Sequence, residues 1–190
     1  MTTRTVAVLV GSLRKDSFSR QIAETLAGLS PANVKYRFVG IGDLPFYNQD
    51  DEATPPAEWT RFRDQIRSAD ALLFVTPEYN RSVPAVLKNA IDVGSRPYGQ
   101  SAFDGKPGAV VSVTAGGLGA FGANHHLRQS LVCLNVPTLQ SEAYISGAGA
   151  LFDEQGQLLN EDTRGFLAKY ARDFADWIET IARVRTPEFA

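Results

Sequence analysis

The chain alternates between two kinds of hydrophobic pattern. Short, uninterrupted apolar runs are typical of parallel strands that are covered on both faces, and longer stretches with apolar residues three or four positions apart are typical of helices. The pattern predicts strands at residues 6–10, 34–39, 71–75, 109–113 and 136–139. Residues 34–39 alternate apolar and polar positions, as an edge strand does.

The apolar spacing between these runs predicts helices. They lie at residues 18–29, around Trp59, at 83–93 and at 123–134, and a long closing helix follows. The apolar stripe of the closing helix consists of Phe166, Tyr170, Phe174, Trp177 and Ile181. We interpret this stripe as core packing.

Five strands that alternate with helices predict an α/β fold. The fold class is a doubly wound, five-stranded parallel sheet with helices on both faces, since right-handed crossovers are strongly preferred. With five strands, the flavodoxin-like order 2-1-3-4-5 is favoured over the six-stranded dinucleotide-binding fold, and its ligand crevice opens at the carboxyl ends of strands 1 and 3. The sequence has neither a repeat nor an interdomain linker, so we expect residues 1–190 to form a single domain.

Composition and charge exclude several classes of partner. The chain has 190 residues, 44% hydrophobic and 21% charged, which is ordinary globular composition. A net charge of −2 argues against binding to nucleic acid or anionic membranes, because such proteins usually carry a basic patch. No apolar segment reaches the roughly 18 residues that a membrane span needs, and the N-terminus lacks the apolar stretch of a signal peptide. We therefore expect a cytoplasmic protein with no membrane and no nucleic-acid partner.

The cysteine and the histidines offer little chemistry. The one cysteine, Cys133, excludes an internal disulfide and fits a reducing compartment, and its apolar neighbours predict a buried structural thiol. The two histidines, His125 and His126, are adjacent and point to different helix faces, so no metal site is predicted. The sequence also lacks a convincing Ser/His/Asp or Cys/His set, and we predict no catalytic side chain.

The first informative loop follows strand 1, where the apolar run ends at Gly11 and a helix begins soon after. Free backbone N–H groups and the positive end of the helix dipole both point over such a loop, which favours an anion. Ser12, Ser17 and Ser19 add hydroxyl donors, and Arg14 adds a charge-assisted contact for a phosphate. The alternative is a glycine turn followed by an ordinary serine helix cap.

The second loop follows strand 3. Pro77 ends that strand, and Ser82 can cap the next helix. Glu78, Tyr79 and Asn80 lie between them and are expected to project at the crevice mouth, where a tyrosine beside backbone amides suits a flat, hydrogen-bonding heterocycle. The alternative is an ordinary strand-to-helix turn with a surface tyrosine.

The third loop is rich in glycine and follows strand 4. Its residues 117–122, GLGAFG, match the dinucleotide fingerprint G-x-G-x-x-G, and Glu142 follows at about the expected spacing. However, the match follows strand 4 and not the first strand of a βαβ half. We therefore interpret these glycines as letting the backbone approach a planar ligand. A dinucleotide site at Gly117 is the alternative.

Taken together, the three loops resemble the NADPH-dependent FMN reductase family of the flavodoxin-like superfamily, over most of the chain. The most specific segments are GSLRKDS at 11–17, PEYNRSVP at 77–84, LKNAID at 87–92 and SRP at 95–97. The branch that contains bacterial quinone and chromate reductases is the most similar, helped by HLRQ at 126–129. Two positions depart from the family pattern: Ala85 replaces a common glycine, and Val93 replaces a frequent tryptophan.

The resemblance implies a site for FMN. The residues that it places around the FMN phosphate are Ser12, Arg14, Ser17, Phe18 and Ser19. The residues that it places along the isoalloxazine ring are Pro77, Glu78, Tyr79 and Asn80, with Ser82 nearby. It implies that Gly116 and Gly117 close over the pyrimidine side of the ring.

The resemblance also implies an activity. Electrons from NADPH or NADH would pass through FMN to a small-molecule acceptor, such as a quinone, free flavin, an azo compound or an oxyanion such as chromate. The alternative is a flavodoxin-type electron carrier without nicotinamide turnover, which the charge of −2 and the arginine in the flavin loop disfavour. The family further implies a homodimer or homotetramer, with the helix after Pro84 and the region of Arg128 and Glu142 at interfaces.

Overall fold

A five-stranded parallel sheet forms the centre of the structure, a computed structural model that describes residues 2–184. The strands are β1 (Arg4–Val10), β2 (Val34–Phe38), β3 (Ala71–Thr76), β4 (Gly108–Val113) and β5 (Ala143–Ile145). The helices are α1 (Phe18–Leu29), α2 (Ala57–Arg67), α3 (Ala85–Gly94), α4 (Phe121–Cys133) and α5 (Glu161–Val184). Among the residues described, no helix is both long and apolar enough to cross a membrane.

The strands are ordered β2-β1-β3-β4-β5, and every pair is parallel. This confirms the predicted flavodoxin-like topology. Neighbouring strands stay in close register: Val8 of β1 lies opposite Leu73 of β3, which lies opposite Ala109 of β4. Since the chain crosses from β1 out to β2 and then back past β1 to β3, the loops after β1 and β3 meet at the switch point.

Helices cover both faces of the sheet. Val6 and Val8 of β1 point into a core that α1 and α5 complete, whereas Ala7 and Leu9 point into a second core with α2, α3 and α4. Because successive strand residues face opposite sides, a run that is apolar at every position serves both layers. Each large side chain buried there contributes about 1.5–3 kcal/mol. The two layers hold the sheet as a rigid base for its loops.

The last strand differs from the prediction. Residues 136–139 run beside the start of β4 but make only a single bridge, between Gly108 and Thr138. Pro137 has no N–H for a ladder, and its carbonyl accepts hydrogen bonds from Gly108 N (3.0 Å) and Trp177 Nε1 (2.9 Å). Val136 is buried as core, and the fifth strand forms later, at Ala143–Ile145.

The closing helix and the cysteine also differ from the prediction. Tyr170 and Phe174 are buried as expected, but Phe166 is exposed, because the covered face of α5 continues through Leu167 and Ile178 instead. Cys133 is exposed and not buried. The covered side of α4 consists of Ala123, Asn124, Leu127 and Leu131. Cys133 lies at the end of the helix on its open side.

Candidate functional site

Three loops meet at the carboxyl end of the sheet: the β1 loop (residues 11–17), the β3 loop (77–84) and the β4 loop (114–120). The first two are in direct contact. Gly11 N donates to Val75 O at 2.8 Å, and a Cβ on Gly11 would lie 2.9 Å from Thr76 Oγ1 and 3.3 Å from Pro77 Cδ. A side chain at position 11 would therefore force the two loops apart. The structure brings together the predicted phosphate and ring segments.

The β1 loop combines a buried helix cap with an arginine that faces solvent. Ser17 is buried and is the N-cap of α1, and its hydroxyl accepts from Arg20 N at 3.2 Å. Arg14 is exposed, with its guanidinium carbon 4.8 Å from the centre of the Phe18 ring. Within residues 2–184, no carboxylate lies within ion-pair distance of Arg14. The cap and the anion site are thus compatible features of one loop.

The other two predicted serines of this loop differ in access. Ser12 is half-buried, and its Oγ accepts from Arg14 N at 3.4 Å, whereas Ser19 is buried in the first turn of α1. Phosphate contacts from Ser12, Arg14, Ser17, Phe18 and Ser19 stay predictions.

The β3 loop is a tight two-residue hairpin, the 79–82 hairpin. Tyr79 N donates to Ser82 O at 3.1 Å and Ser82 N to Tyr79 O at 3.0 Å, while Asn80 and Arg81 have φ angles of 50° and 64°. Two successive left-handed residues are the mark of a type I′ turn. The predicted cap at Ser82 is wrong. Helix α3 begins at Ala85 with Pro84 in the cap position, and the Ser82 hydroxyl lies instead 3.0 Å from His126 Nδ1.

Glu78 faces α4 and not the crevice mouth. Its Oε2 accepts from Ala123 N at 3.1 Å, its Oε1 lies 3.3 Å from Arg81 Nη1, and its side chain is only 13% exposed. A carboxylate at a helix N-terminus is favourable because it pairs with unsatisfied N–H groups and the helix dipole. A Cβ on Gly122 would lie 2.6 Å from Arg81 O and 2.9 Å from Glu78 Oε2, so only glycine lets α4 approach the hairpin this closely.

Tyr79 and Asn80 project from the hairpin as predicted, and Tyr79 is 52% exposed. Of the two departures from the family pattern, Ala85 is exposed at the start of α3, and Val93 is buried in the layer with α2 and α4.

The glycine-rich β4 loop is hydrogen-bonded to the residues that follow β5, and its two glycines at 116 and 117 are exposed. Gly116 N donates to Thr114 Oγ1 at 3.2 Å, Gly147 N donates to Gly116 O at 3.1 Å, and Ser146 Oγ donates to Gly117 O at 3.0 Å. A Cβ on Gly117 would meet no protein atom within 4 Å. The backbone at Gly117 is therefore accessible from outside the protein. The third glycine of the fingerprint, Gly122, is explained by the hairpin and needs no dinucleotide.

An aromatic group that the sequence reasoning missed borders the glycine loop. Phe121 is 54% exposed, and its ring centre lies 4.1 Å from that of His125 and 5.6 Å from that of Tyr144. Tyr144 OH lies 3.0 Å from His125 Nε2, and burial together with Glu142 raises the pKa of Tyr144 to about 12. The group depends on β5, which the sequence reasoning placed too early, so no local signal could have found it.

Arg128 has a structural role within the chain. Its guanidinium donates to Asn124 Oδ1 (2.9 Å), Leu139 O (2.9 Å) and Ser141 O (3.0 Å). Asn124, which is fully buried, donates in turn to Ser112 Oγ at 3.1 Å. This network ties α4 to the end of β4 and so positions the helix N-terminus that Glu78 caps.

The sequence profile of the NADPH-dependent FMN reductase family matches residues 4–150. The chain belongs to the NADPH-dependent FMN reductase family. It is an oxidoreductase of the kind that uses FMN with NADPH or NADH as co-substrate, as the resemblance implied. Within the described residues, no group of three or more His, Cys, Asp or Glu side chains is arranged for a metal ion.

Individual relatives agree with the family. The chain is 60% identical over 176 residues to a quinone reductase of Pseudomonas putida, covering 92% of this chain and 94% of the relative. It is 45% identical to a 2-hydroxy-1,4-benzoquinone reductase of Burkholderia, covering 91% and 95%. Among solved structures, the flavoenzyme NAD(P)H:(acceptor) oxidoreductase FerB of Paracoccus denitrificans superposes with a TM-score of 0.88 at 41% identity, covering 94% of this chain and 98% of that one.

The residues present fit FMN. The β1 loop offers a helix N-terminus and an arginine without a carboxylate partner, as a phosphate requires. The exposed Tyr79 side chain offers a flat apolar surface, and Gly117 leaves room for a ring edge against the backbone. Together, the fit and the family match disfavour a site for an intact dinucleotide at Gly117.

Proposed function

We propose that the protein is an NAD(P)H:quinone oxidoreductase that holds FMN across the β1, β3 and β4 loops. The observation that carries the proposal is the direct contact of the β1 and β3 loops at Gly11 and Pro77, which supports a phosphate site in one loop beside a ring site in the other. The balanced reaction is NAD(P)H + H⁺ + quinone → NAD(P)⁺ + hydroquinone. FMN supplies the hydride-accepting and electron-donating chemistry, so the protein needs no acid–base triad.

Each loop has a distinct task in this proposal. Arg14, Ser12 and Ser17, with the N-terminus of α1, bind the FMN phosphate, and Phe18 and Ser19 support the same turn. Pro77, Tyr79 and Asn80 line the isoalloxazine ring, while Glu78 and Ser82 hold the 79–82 hairpin in place through α4. Gly116 and Gly117 border the pyrimidine side. The open face of the ring then receives first the nicotinamide and afterwards the acceptor.

The rim of the site supports a flat, largely apolar acceptor. Leu118, within the β4 loop, is 62% exposed, and Phe121, directly after the loop, is 54% exposed. Exposed apolar side chains beside a cleft favour binding of an aromatic ring over a small hydrophilic ion. We therefore propose quinones as the main acceptors, and free flavin, azo compounds and chromate as slower ones.

The purified protein provides the test. We expect it to be yellow with FMN, and to oxidise NADPH or NADH steadily when menadione is present. The FMN-free protein is the matched control and should regain turnover when FMN is added. An FMN-loaded protein that oxidises neither nicotinamide with menadione would overturn the proposal.

We further propose that the protein acts in the cytoplasm as a homodimer or homotetramer. The free, exposed thiol of Cys133 suits a reducing compartment. Val132, in the last turn of α4, is 72% exposed, and such an exposed apolar side chain suits an interface between copies. Sedimentation equilibrium should give two or four times the mass of one chain, and a monomer at micromolar concentration would contradict this assembly.

A further inference from the structure

Arg81 stands at a backbone position that arginine disfavours. The second central residue of a type I′ turn needs a positive φ, which glycine adopts readily and which costs free energy for a residue with a Cβ. Arg81 nevertheless has a φ of 64°, directly after Asn80 at 50°. Glycine would form the same turn without this cost. A strained residue at the rim of a ligand site suggests that its side chain has a task.

The surroundings hold this turn in its conformation. The 79–82 hairpin is closed by two backbone hydrogen bonds, and Arg81 O packs against Gly122 at the start of α4. The backbone at position 81 is thus determined by its neighbours and not by the arginine side chain. Replacing that side chain should leave the hairpin in place.

The guanidinium of Arg81 is held in one orientation, but only part of its hydrogen-bonding capacity is used. It is 72% exposed and is held through Nη1 by Glu78 Oε1 at 3.3 Å, while Glu78 is itself fixed by Ala123 N. Among the described residues, no second acceptor binds the Nε and Nη2 groups of Arg81. By contrast, Arg128 uses Nε, Nη1 and Nη2 on acceptors within the chain.

We propose that Arg81 binds a phosphate group of the nicotinamide coenzyme. This inference rests on the proposed function, which places the nicotinamide on the open face of the isoalloxazine ring and leaves the phosphate-bearing part of the coenzyme to cross the rim. A guanidinium fork matches phosphate oxygens, and a preoriented one loses less entropy on binding. In the same proposal the FMN phosphate is bound by a different arginine, Arg14 on the β1 loop. Arg81 is accordingly a specificity residue for the coenzyme.

Three electron donors test the proposal with FMN-loaded protein and menadione: NADPH, NADH and reduced nicotinamide riboside, which has no phosphate. In Arg81→Gln we expect KM to rise by about 5- to 30-fold for a phosphate-bearing donor, as for loss of a partly solvated charge-assisted hydrogen bond. KM for reduced nicotinamide riboside should stay unchanged. A rise for NADPH alone assigns Arg81 to the 2′-phosphate, and a rise for both dinucleotides assigns it to the pyrophosphate.

Two further variants separate charge from structure. Arg81→Lys should give a KM between those of Arg81→Gln and the unaltered protein, because lysine keeps the positive charge but lacks the guanidinium fork. Arg81→Gly should match Arg81→Gln in KM yet melt at a higher temperature, since glycine relieves the backbone strain. Binding of NADP⁺ and NAD⁺ to the same proteins can be measured by calorimetry without any turnover. We expect each affinity to weaken in the variants in which KM for the corresponding reduced donor rises.

The inference fails if Arg81→Gln leaves KM unchanged for all three donors, or raises it equally for the riboside. Turnover of the riboside with menadione by the unaltered protein would show that the proposed function holds even then. Absence of turnover with every donor in the unaltered protein would instead contradict the proposed function.

Discussion

The two ends of the sheet differ in whether their charged groups have partners within the protein. At the amino end, Arg4 donates to both carboxylate oxygens of Glu179, at 2.8 and 3.1 Å, and lies 3.7 Å from Asp70. Asp70 also accepts from Thr5 N at 2.7 Å. At the carboxyl end, the Arg14 guanidinium faces solvent without a carboxylate, and Tyr79 is half exposed.

This contrast locates a ligand site better than the size of a cavity does. A groove of about 590 Å³ lies at the amino end, lined by Thr2, Asp176 and Glu179 among others. Beside it, Arg4, Asp70 and Glu179 pair with one another. The loops at the carboxyl end leave the Arg14 guanidinium and the Tyr79 ring exposed. We therefore propose the ligand site from unpaired donors and an exposed ring, and not from the volume of a groove.

The largest expected effect follows from removing Arg14, whose guanidinium has no carboxylate partner in the described part of the chain. Arg14→Ala should weaken FMN binding by about 10- to 100-fold, because a charge-assisted hydrogen bond contributes about 1.5–3 kcal/mol. Quenching of FMN fluorescence by the apoprotein measures the dissociation constant. Arg4→Ala, at the amino end, is the control: it should lower the free energy of unfolding and leave FMN affinity unchanged. Equal FMN affinity in Arg14→Ala and the unaltered protein would remove Arg14 from the site.

A smaller effect is expected from pushing the loops of the carboxyl end apart. Gly122→Ala would set a methyl group 2.6 Å from Arg81 O, and overpacking of this kind typically costs about 1–3 kcal/mol. We expect a lower melting temperature and a higher KM for menadione. Gly165→Ala in α5 is the matched control, since a Cβ there meets nothing within 4 Å. If both variants behave alike, the hairpin is not clamped by α4.

The smallest effect is expected at the amino end. Glu179→Gln should lower the free energy of unfolding at pH 7 by about 0.2–1 kcal/mol, the range for partly exposed ion pairs. The hydrogen bonds from Arg4 lower the pKa of Glu179, so its contribution is present above the unfolded pKa of about 4.3 and is lost as the pH falls through the folded pKa. Urea denaturation at pH 7 and at about pH 4 should show the difference between the two proteins shrinking. A difference that grows towards acid would contradict this account.

Features written in local patterns could be predicted from the sequence. The runs at residues 6–10, 71–75 and 109–113 are apolar at every position except Ser112, because both faces of the sheet are covered, and this pattern predicts the strands, the crossovers and their order. Gly11 and Pro77 mark the ends of two adjacent strands, so the meeting of their loops followed from the topology.

Features that depend on tertiary contacts could not be predicted. The sequence signal for a type I′ turn is Asn-Gly, and Asn80-Arg81 lacks the glycine. The turn forms here because the hairpin hydrogen bonds and the contact with Gly122 hold its backbone, and no local pattern records those contacts. Glu78 turns inward only because the N-terminus of α4 lies there. Residues 136–139 have the apolar content of a strand, but Pro137 lacks an N–H and Val136 packs into the core. The strand that pairs with the end of β4 is therefore Ala143–Ile145.

The position of Cys133 makes the chain well suited to site-specific labelling. The sequence has one cysteine, and it is exposed near the end of α4, in a groove shared with α3 and lined by Ile91 and Gln129. A maleimide fluorophore would therefore attach once per chain without any engineering. Energy transfer between donor- and acceptor-labelled copies would then report whether two α4 helices approach each other.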